Sequence, residues 1–278
     1  MLYRQEKQVQ ERIKKVFPLK TSPLVQCITN EITSETMANA LLFIGAKPVM
    51  AEDIREFPAF FAQNDSLVLN LGQLSERKEQ SLLEAAKWAE NTNTPAVIDL
   101  VGVAATQLRL DLAQCLATFH PTVIKGNTSE MGVYCGLESI ARGVDANHQE
   151  QSDTALLEMI SAMRQKVRQY PDTVLLATGK YDVIVSYEET YLLDNGVPAL
   201  ERFTGTGDIV GALVAAVLGA KAGALTAAIS AVSYFNLCGE IAEKQATGLA
   251  DFRQETMNQL SLVMKDTHWV RKIQGGIL

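Results

Sequence analysis

The chain has few of the residues that staple small folds together: four cysteines and three histidines in 278 positions. Cys27, Cys115, Cys135 and Cys238 are widely spaced, form no CxxC pair and follow no signal-peptide pattern. Neither a disulfide framework nor a zinc site is indicated, and a reducing cytoplasm is the expected location. His120, His148 and His268 lack ligand spacing and are read as surface or loop residues. No GxSxG elbow is present, which removes support for Ser/His/Asp hydrolysis. Positive charge is short as well. A net charge of −7 and a pI near 5.1 argue against wrapping a nucleic acid, so any phosphate is bound locally. No uninterrupted apolar run reaches the roughly 20 residues of a membrane span. The longest, Ile209–Ala220, stops at Lys221 and resumes over Ala222–Phe235; its Ala and Gly content predicts two closely packed buried helices. Repeats, low-complexity tracts and Pro/Ser-rich linkers are missing too, so residues 1–278 are expected to form one domain.

What the chain does have is core material, with 47% hydrophobic against 21% charged residues. Short Val/Ile/Leu-rich runs at Leu24–Ile28, Ser66–Leu71, Ala96–Val101, Thr122–Ile124, Thr173–Ala177 and Asp182–Tyr187 predict buried strands. Segments of helical period lie between most of them: Ser34–Ile44, Ser75–Asn91, Leu108–Phe119 and Asp153–Gln169. This alternation implies right-handed crossovers and a largely parallel sheet. DVIVSY and TYLLD flank Glu188-Glu189 with no room for a crossover helix, so a hairpin is expected there. From Gly207 to Lys265 the pattern is helical, with breaks near Ala220–Gly223 and Thr247–Leu249. The charged stretch Met1–Val16, with Leu2, Val9, Ile13 and Val16 as its apolar positions, predicts an exposed leading helix.

Four strings carry residue types suited to chemistry. In Phe203–Leu213, Gly205 and Gly207 allow close backbone approach to a ligand, and a helix starting near Asp208 aims its positive end at an anion. Gly205, Thr206 and Gly207 are therefore a candidate anion hole for a phosphoryl group in transfer. Asp208 reads as a general base or as a plain N-cap. In Lys125–Glu130, a strand end meets a helix start: Lys125 is a phosphate contact or a surface lysine, and Glu130 a Mg²⁺ holder or the capping-box partner of Asn127. Asp99 ends an apolar strand, where an unpaired carboxylate is costly; a metal, a cation, a role as base, or a cap on the next helix accounts for it. Thr178-Gly179-Lys180 suits a nucleotide contact, and by itself is an ordinary turn.

In chain order these strings resemble the hydroxyethylthiazole kinase family of the ribokinase-like superfamily. The match runs from Pro23–Asn30 through Met37–Met50, Leu67–Gly72, Asp99–Thr106, Val123–Glu130 and Thr178–Lys180 to Thr204–Leu213. Several ordered motifs together are far more specific than any one. The resemblance implies a three-layer α/β/α sandwich with a mostly parallel central sheet, and phosphorylation of the thiazole alcohol by ATP. It implies that Lys125 and Thr178 contact ATP and that Asp99 and Glu130 organise Mg²⁺. Met50 and Gly205 would line the thiazole pocket, Asn30 would lie in the substrate-proximal ITN segment, and Asp208 would take the proton of the attacking hydroxyl. A homotrimer with pockets between neighbouring subunits is implied as well.

The chain departs from the family pattern at three places. Many members carry Cys where Asp208 stands, though related sugar and vitamin kinases use Asp there, a change that favours proton abstraction. Leu100 and Ala104 replace the Pro and second Gly of the strand-end motif, and Gln26 stands where His is frequent. Rival readings are a same-fold kinase of a hydroxymethylpyrimidine or pyridoxal-like alcohol, a nucleotide-dependent dehydratase of hydrated nicotinamide cofactor, and a thiazole sensor without catalysis.

Overall fold

The computed structural model describes residues 6–137 and 148–278. Its strands are β1 (Leu24–Ile28), β2 (Lys47–Val49), β3 (Ser66–Asn70), β4 (Ala96–Asp99), β5 (Val123–Asn127), β6 (Val174–Thr178), β7 (Asp182–Val185), β8 (Thr190–Leu193) and β9 (Gly275–Ile277). They form one nine-stranded sheet in the order β2-β1-β3-β4-β5-β6-β7-β8-β9. From β2 to β6 every pairing is parallel, and β6 through β9 pair antiparallel. Strand order reverses at β1, between β2 and β3. Such a reversal opens a crevice at the carboxyl ends of the strands, where ligands of open α/β sheets gather.

The helices are α1 (Glu6–Lys14), α2 (Ser34–Phe43), α3 (Phe57–Phe61), α4 (Glu76–Thr92), α5 (Gln107–Ala117), α6 (Thr128–Tyr134), α7 (His148–Val167), α8 (Thr206–Gly219), α9 (Ala224–Glu243) and α10 (Leu249–Leu262). One face of the sheet carries α8 across β1, β3, β4 and β5, with α2, α9, α10 and α1 around it. The other carries α3 through α7. The three-layer sandwich and the hairpin at β7–β8 agree with expectation.

Helix α9 is long and apolar enough to cross a membrane by length and composition. It is instead packed against α8, α10 and α1 in the α8-side layer, with Ala227 to Gly239 buried. The glycines and alanines of α8 permit close seating on the sheet: a Cβ on Gly219 would stand 2.8 Å from Pro23 Cβ, and Ser66 Oγ donates to the Ala215 carbonyl at 2.7 Å.

Four local differences from expectation have simple causes. β2 is three residues long and contains a proline, and β9 is mostly glycine, so neither carries a strand signature. β5 extends through Lys125 to Asn127, because β4 offers it backbone partners as far as Lys125 and β6 as far as Asn127. α8 begins at Thr206, two residues before Asp208, because Gly205 takes up the left-handed cap conformation at φ +99°. The leading helix is not an exposed one. Val9 and Ile13, four apart on one face, are both fully buried, and Phe17 stacks on Tyr234 with ring centroids 4.6 Å apart. Arg12 bonds Glu189 at 2.8 Å from the polar face. Leu2 lies outside the described residues, as does the side chain of His148, whereas His120 and His268 are exposed as expected.

Truncating Ile13 to Ala should therefore cost about 2–5 kcal/mol in chemical denaturation, the range for a filled core position. A solvated helix would lose under about 0.5 kcal/mol.

Candidate active site

Four residues at the carboxyl ends of neighbouring strands follow from one parity rule. Cys27, Val68, Val97 and Val123 stand side by side in register and belong to the core cluster under α8. Side chains alternate along a strand, so two residues further on the same face presents Thr29, Asn70, Asp99 and Lys125. The apolar row beneath α8 thus ends in a polar row beneath the start of α8.

Within that row Lys125 Nζ donates to Asp99 Oδ1 at 2.9 Å, with the two side chains 2% and 0% exposed. The surface-lysine reading of Lys125 is set aside by this burial. Burial pushes the Asp99 carboxyl up to about 7; Lys125 pulls it down, and Asp208 and Glu130 push it further up. Burial opposes the charge on Lys125, yet Asp99, Glu130 and Asp208 outweigh it and hold the lysine above its ordinary value. Among the described residues Asp99 Oδ2 has no hydrogen-bond partner. Space for the pair comes from a glycine stripe on α8. A Cβ on Gly207 would sit 3.1 Å from Lys125 Nζ, and one on Gly211 would sit 3.4 Å from Asp99 Oδ2.

Asp208 is in the first turn of α8 and is not its cap: the cap position is Gly205, which has no side chain to bond the helix end. Its carboxylate is instead gripped from across the sheet. Asn70 Nδ2 donates to Oδ1 at 2.9 Å, Asn30 Nδ2 donates to Oδ2 at 3.1 Å, and the Thr33 hydroxyl is bonded to Oδ2 as well. Thr33 precedes α2 as its cap residue, yet its side chain makes no cap bond. Gly205 is needed here a second time, since a Cβ on it would lie 2.9 Å from Thr33 Cγ2. The N–H groups of Thr206, Gly207 and Asp208 have no partner within the helix, as at any helix start.

Gly205, Thr206, Gly207, Asp208, Asp99 and Lys125 all border a cleft of about 910 Å³ that extends past Glu130 and Thr178. Of the two readings of Glu130, the structure shows the capping box. Glu130 completes it with Asn127, and Oε1 also accepts from Gly102 N at 2.9 Å, tying down the loop after β4. Thr178 ends β6, its hydroxyl 3.4 Å from the Gly126 carbonyl. Met50 is placed apart from this cleft: it follows the edge strand β2, half-buried against the α8-side core. Asn30 reaches Asp208 but does not border the cleft.

Sequence reasoning assigned no role to Thr33, Asn70, Lys78 or Arg109. Lys78, on α4, is buried and donates to the Thr29 carbonyl at 2.6 Å and to Glu52, joining the segment before Asn30 to the segment after Met50. Arg109 bonds the carbonyls of Leu71 and Val101, the loops after β3 and β4. Asn70 was detectable in principle, as the polar residue ending an otherwise apolar strand, the same signal that singled out Asp99.

Comparison with known proteins gives consistent results. The model of the hydroxyethylthiazole kinase family matches residues 15–266. A hydroxyethylthiazole kinase of Enterococcus faecalis is 56% identical over 263 residues, covering 95% of this chain and 97% of the relative. The solved structure of a hydroxyethylthiazole kinase protein from Pyrococcus horikoshii superposes with a TM-score of 0.83 at 28% identity, over 98% of this chain and 99% of the other. A ribokinase-like superfamily protein of Enterococcus faecalis shares the fold, with a TM-score of 0.63 at 14% identity over 93% and 94% of the two chains. Matched by the family model over most of its length and 56% identical to a relative that covers 95% of it, the chain belongs to the hydroxyethylthiazole kinase family.

Proposed function

We propose that the protein transfers the γ-phosphoryl group of ATP to the primary hydroxyl of 5-(2-hydroxyethyl)-4-methylthiazole, a salvage step supplying thiamine synthesis. The observation that carries this reading is the Asp208 carboxylate, held by Asn30, Thr33 and Asn70 at the border of a cleft that also contains Lys125 and a helix start. Three donors keep the carboxylate fixed, and lone pairs remain to accept a proton.

In this mechanism the substrate hydroxyl gives its proton to Asp208 as its oxygen bonds to the γ-phosphorus, and the bond to the bridging oxygen of ADP breaks in line. The N–H groups at Thr206, Gly207 and Asp208 hold the transferring group. Lys125, kept charged by its acidic neighbours, offsets charge on the leaving phosphates. Thr178 contacts the nucleotide further along the cleft, while Gly205 and Met50, with Asn30, form the thiazole side. At the phosphate end three carboxylates, Asp99, Glu130 and Asp208, stand against one ammonium, so a polyphosphate needs a further cation to enter. Mg²⁺ fits: Asp99 keeps one buried oxygen without a partner, and Glu130 has lone pairs beyond its backbone bonds. Asp99 and Glu130 would hold it, supplying neutralisation of the phosphate charge.

The same reading includes a homotrimer whose pockets lie between subunits. Supporting it, Met50 lies outside the enclosed cleft at a sheet edge, and Ile32 and Leu42, near the substrate segment, are 74% and 54% exposed. A cytoplasmic location belongs to it too, and the buried Cys27, pushed up to about 12 by burial, is an unreactive thiol suited to a packing role.

Three measurements test this. With Mg-ATP and a panel of hydroxyethylthiazole, hydroxymethylpyrimidine and pyridoxal, mass detection should find only the thiazole phosphorylated; release of phosphate with no phosphorylated alcohol would point to the dehydratase reading. Asp208→Asn should lower kcat by about 10²–10⁴ while leaving the KM for ATP within a few-fold. Unchanged turnover by that variant removes Asp208 as the base. Light scattering should give three times the 30.4 kDa chain mass, and Leu42→Asp should yield inactive monomers with unaltered circular dichroism.

A further inference from the structure

Besides Asp99 and Asp208, the cleft has a third buried carboxyl group, one that the phosphoryl-transfer chemistry does not use. Asp182, the first residue of β7, is 3% exposed and borders the cleft beyond its phosphate end. Among the described residues no cation pairs with it. Its partners are neutral: Gly179 N donates to Oδ1 at 3.2 Å, and Asn236 Nδ2, from α9, donates to Oδ2 at 2.7 Å. Burial pushes its carboxyl up to about 7. An unpaired buried carboxyl group is costly to keep, so its geometry should return something.

The bonds continue beyond Asp182. The same Asn236 Nδ2 donates to the Asn195 carbonyl at 2.8 Å. The Asn195 amide donates to Glu240 Oε1 at 2.9 Å and to the Lys272 carbonyl at 3.1 Å, and its oxygen accepts from Gln274 N at 2.7 Å. Glu240 Oε1 also accepts from Gly196 N at 2.9 Å. The network therefore runs from the turn at Thr178–Lys180 through α9 to the loop after β8, and then to the backbone leading into β9. Its two surface ends, residues 178–180 and 195–198, are both walls of the cleft. Neither wall has regular secondary structure to hold it, apart from Thr178 at the end of β6 and Pro198 at the start of a 3-10 turn.

We infer that Asp182 is a positioning residue for nucleotide binding: with Asn236 and Asn195 it fixes the 178–180 turn relative to the 195–198 loop before nucleotide arrives. A carboxylate is suited to this because it accepts from two donors at once, one on each oxygen. An amide in its place sets an NH₂ group against either Gly179 N or Asn236 Nδ2. Flipping the Asn236 amide relieves the second conflict only by turning its oxygen toward the Asn195 carbonyl. A preformed cleft spares the ordering of two loops on binding, which is a contribution to affinity and not to chemistry. This inference rests on the placement of ATP in this cleft.

The test is steady-state kinetics with Mg-ATP and hydroxyethylthiazole on the full-length Asp182→Asn and Asn236→Leu variants, beside calorimetric titration of Mg-ADP into Lys125→Gln. Each of the first two should raise the KM for ATP tenfold or more, with kcat within threefold and the KM for thiazole within twofold. A lowered melting temperature with an unchanged KM for ATP overturns the inference and leaves a purely structural role. Should Asp182→Asn fail to fold, Asn236→Leu decides, as it removes both donors at similar volume. Undiminished Mg-ADP binding by Lys125→Gln overturns the cleft placement itself, and the inference with it. Weakened binding by Lys125→Gln alongside normal KM values in the other two overturns only the positioning role.

Discussion

The ion pair between Asp99 and Lys125 governs the arrangement of everything around it. Two charges without water are stable together only with close, well-formed contact, and the 2.9 Å bond between adjacent parallel strands provides one such contact. Because the pair rises from the sheet toward α8, the helix can lie over it only where it has no side chains, at Gly207 and Gly211. That requirement sets the rotation of α8 about its axis. With the glycine stripe facing down, Asp208 is brought over the ends of β1 and β3, within reach of Asn30 and Asn70. A bulky residue at 207 would displace Lys125 and, with the helix, Asp208.

Polar groups enter the site at the one level of the sheet where the apolar rows stop. Below that level, Cys27, Val68, Val97 and Val123 form a continuous surface under α8; above it, each strand contributes one polar side chain. Hydrogen bonds among Asn30, Thr33, Asn70 and Asp208 leave few of these groups free to reorganise, which is how a fixed environment stabilises charge that develops during a reaction. Lys78 and Arg109 extend the same order to the loops, fastening carbonyls that no strand or helix satisfies.

Much of this organisation was legible in the sequence, because strong period-2 and helical patterns coincide with the elements that form. The parallel core strands, the late hairpin and the helical final third were all expected from such patterns. β2 and β9 were not, since a Lys-Pro-Val edge and a Gly-Gly-Ile end become strands only through the neighbour they pair with. α1 was misjudged because its charges dominate its composition, while two residues on one face decide where it goes. At the site, Asp99, Lys125, Glu130 and Asp208 announce themselves as charged residues at strand ends or helix starts. Thr33 carries no such signal, and Asn70, though it ends an apolar strand, is uncharged; the fold brings both to the Asp208 carboxylate.

The docking of α1 also has a meaning in the order of biosynthesis. Helix α1 leaves the ribosome well before α9 and β9, the elements on which it rests. Until they emerge, Val9, Ile13 and Phe17 lack those surfaces, so α1 must wait for elements far along the chain before it finds its seat.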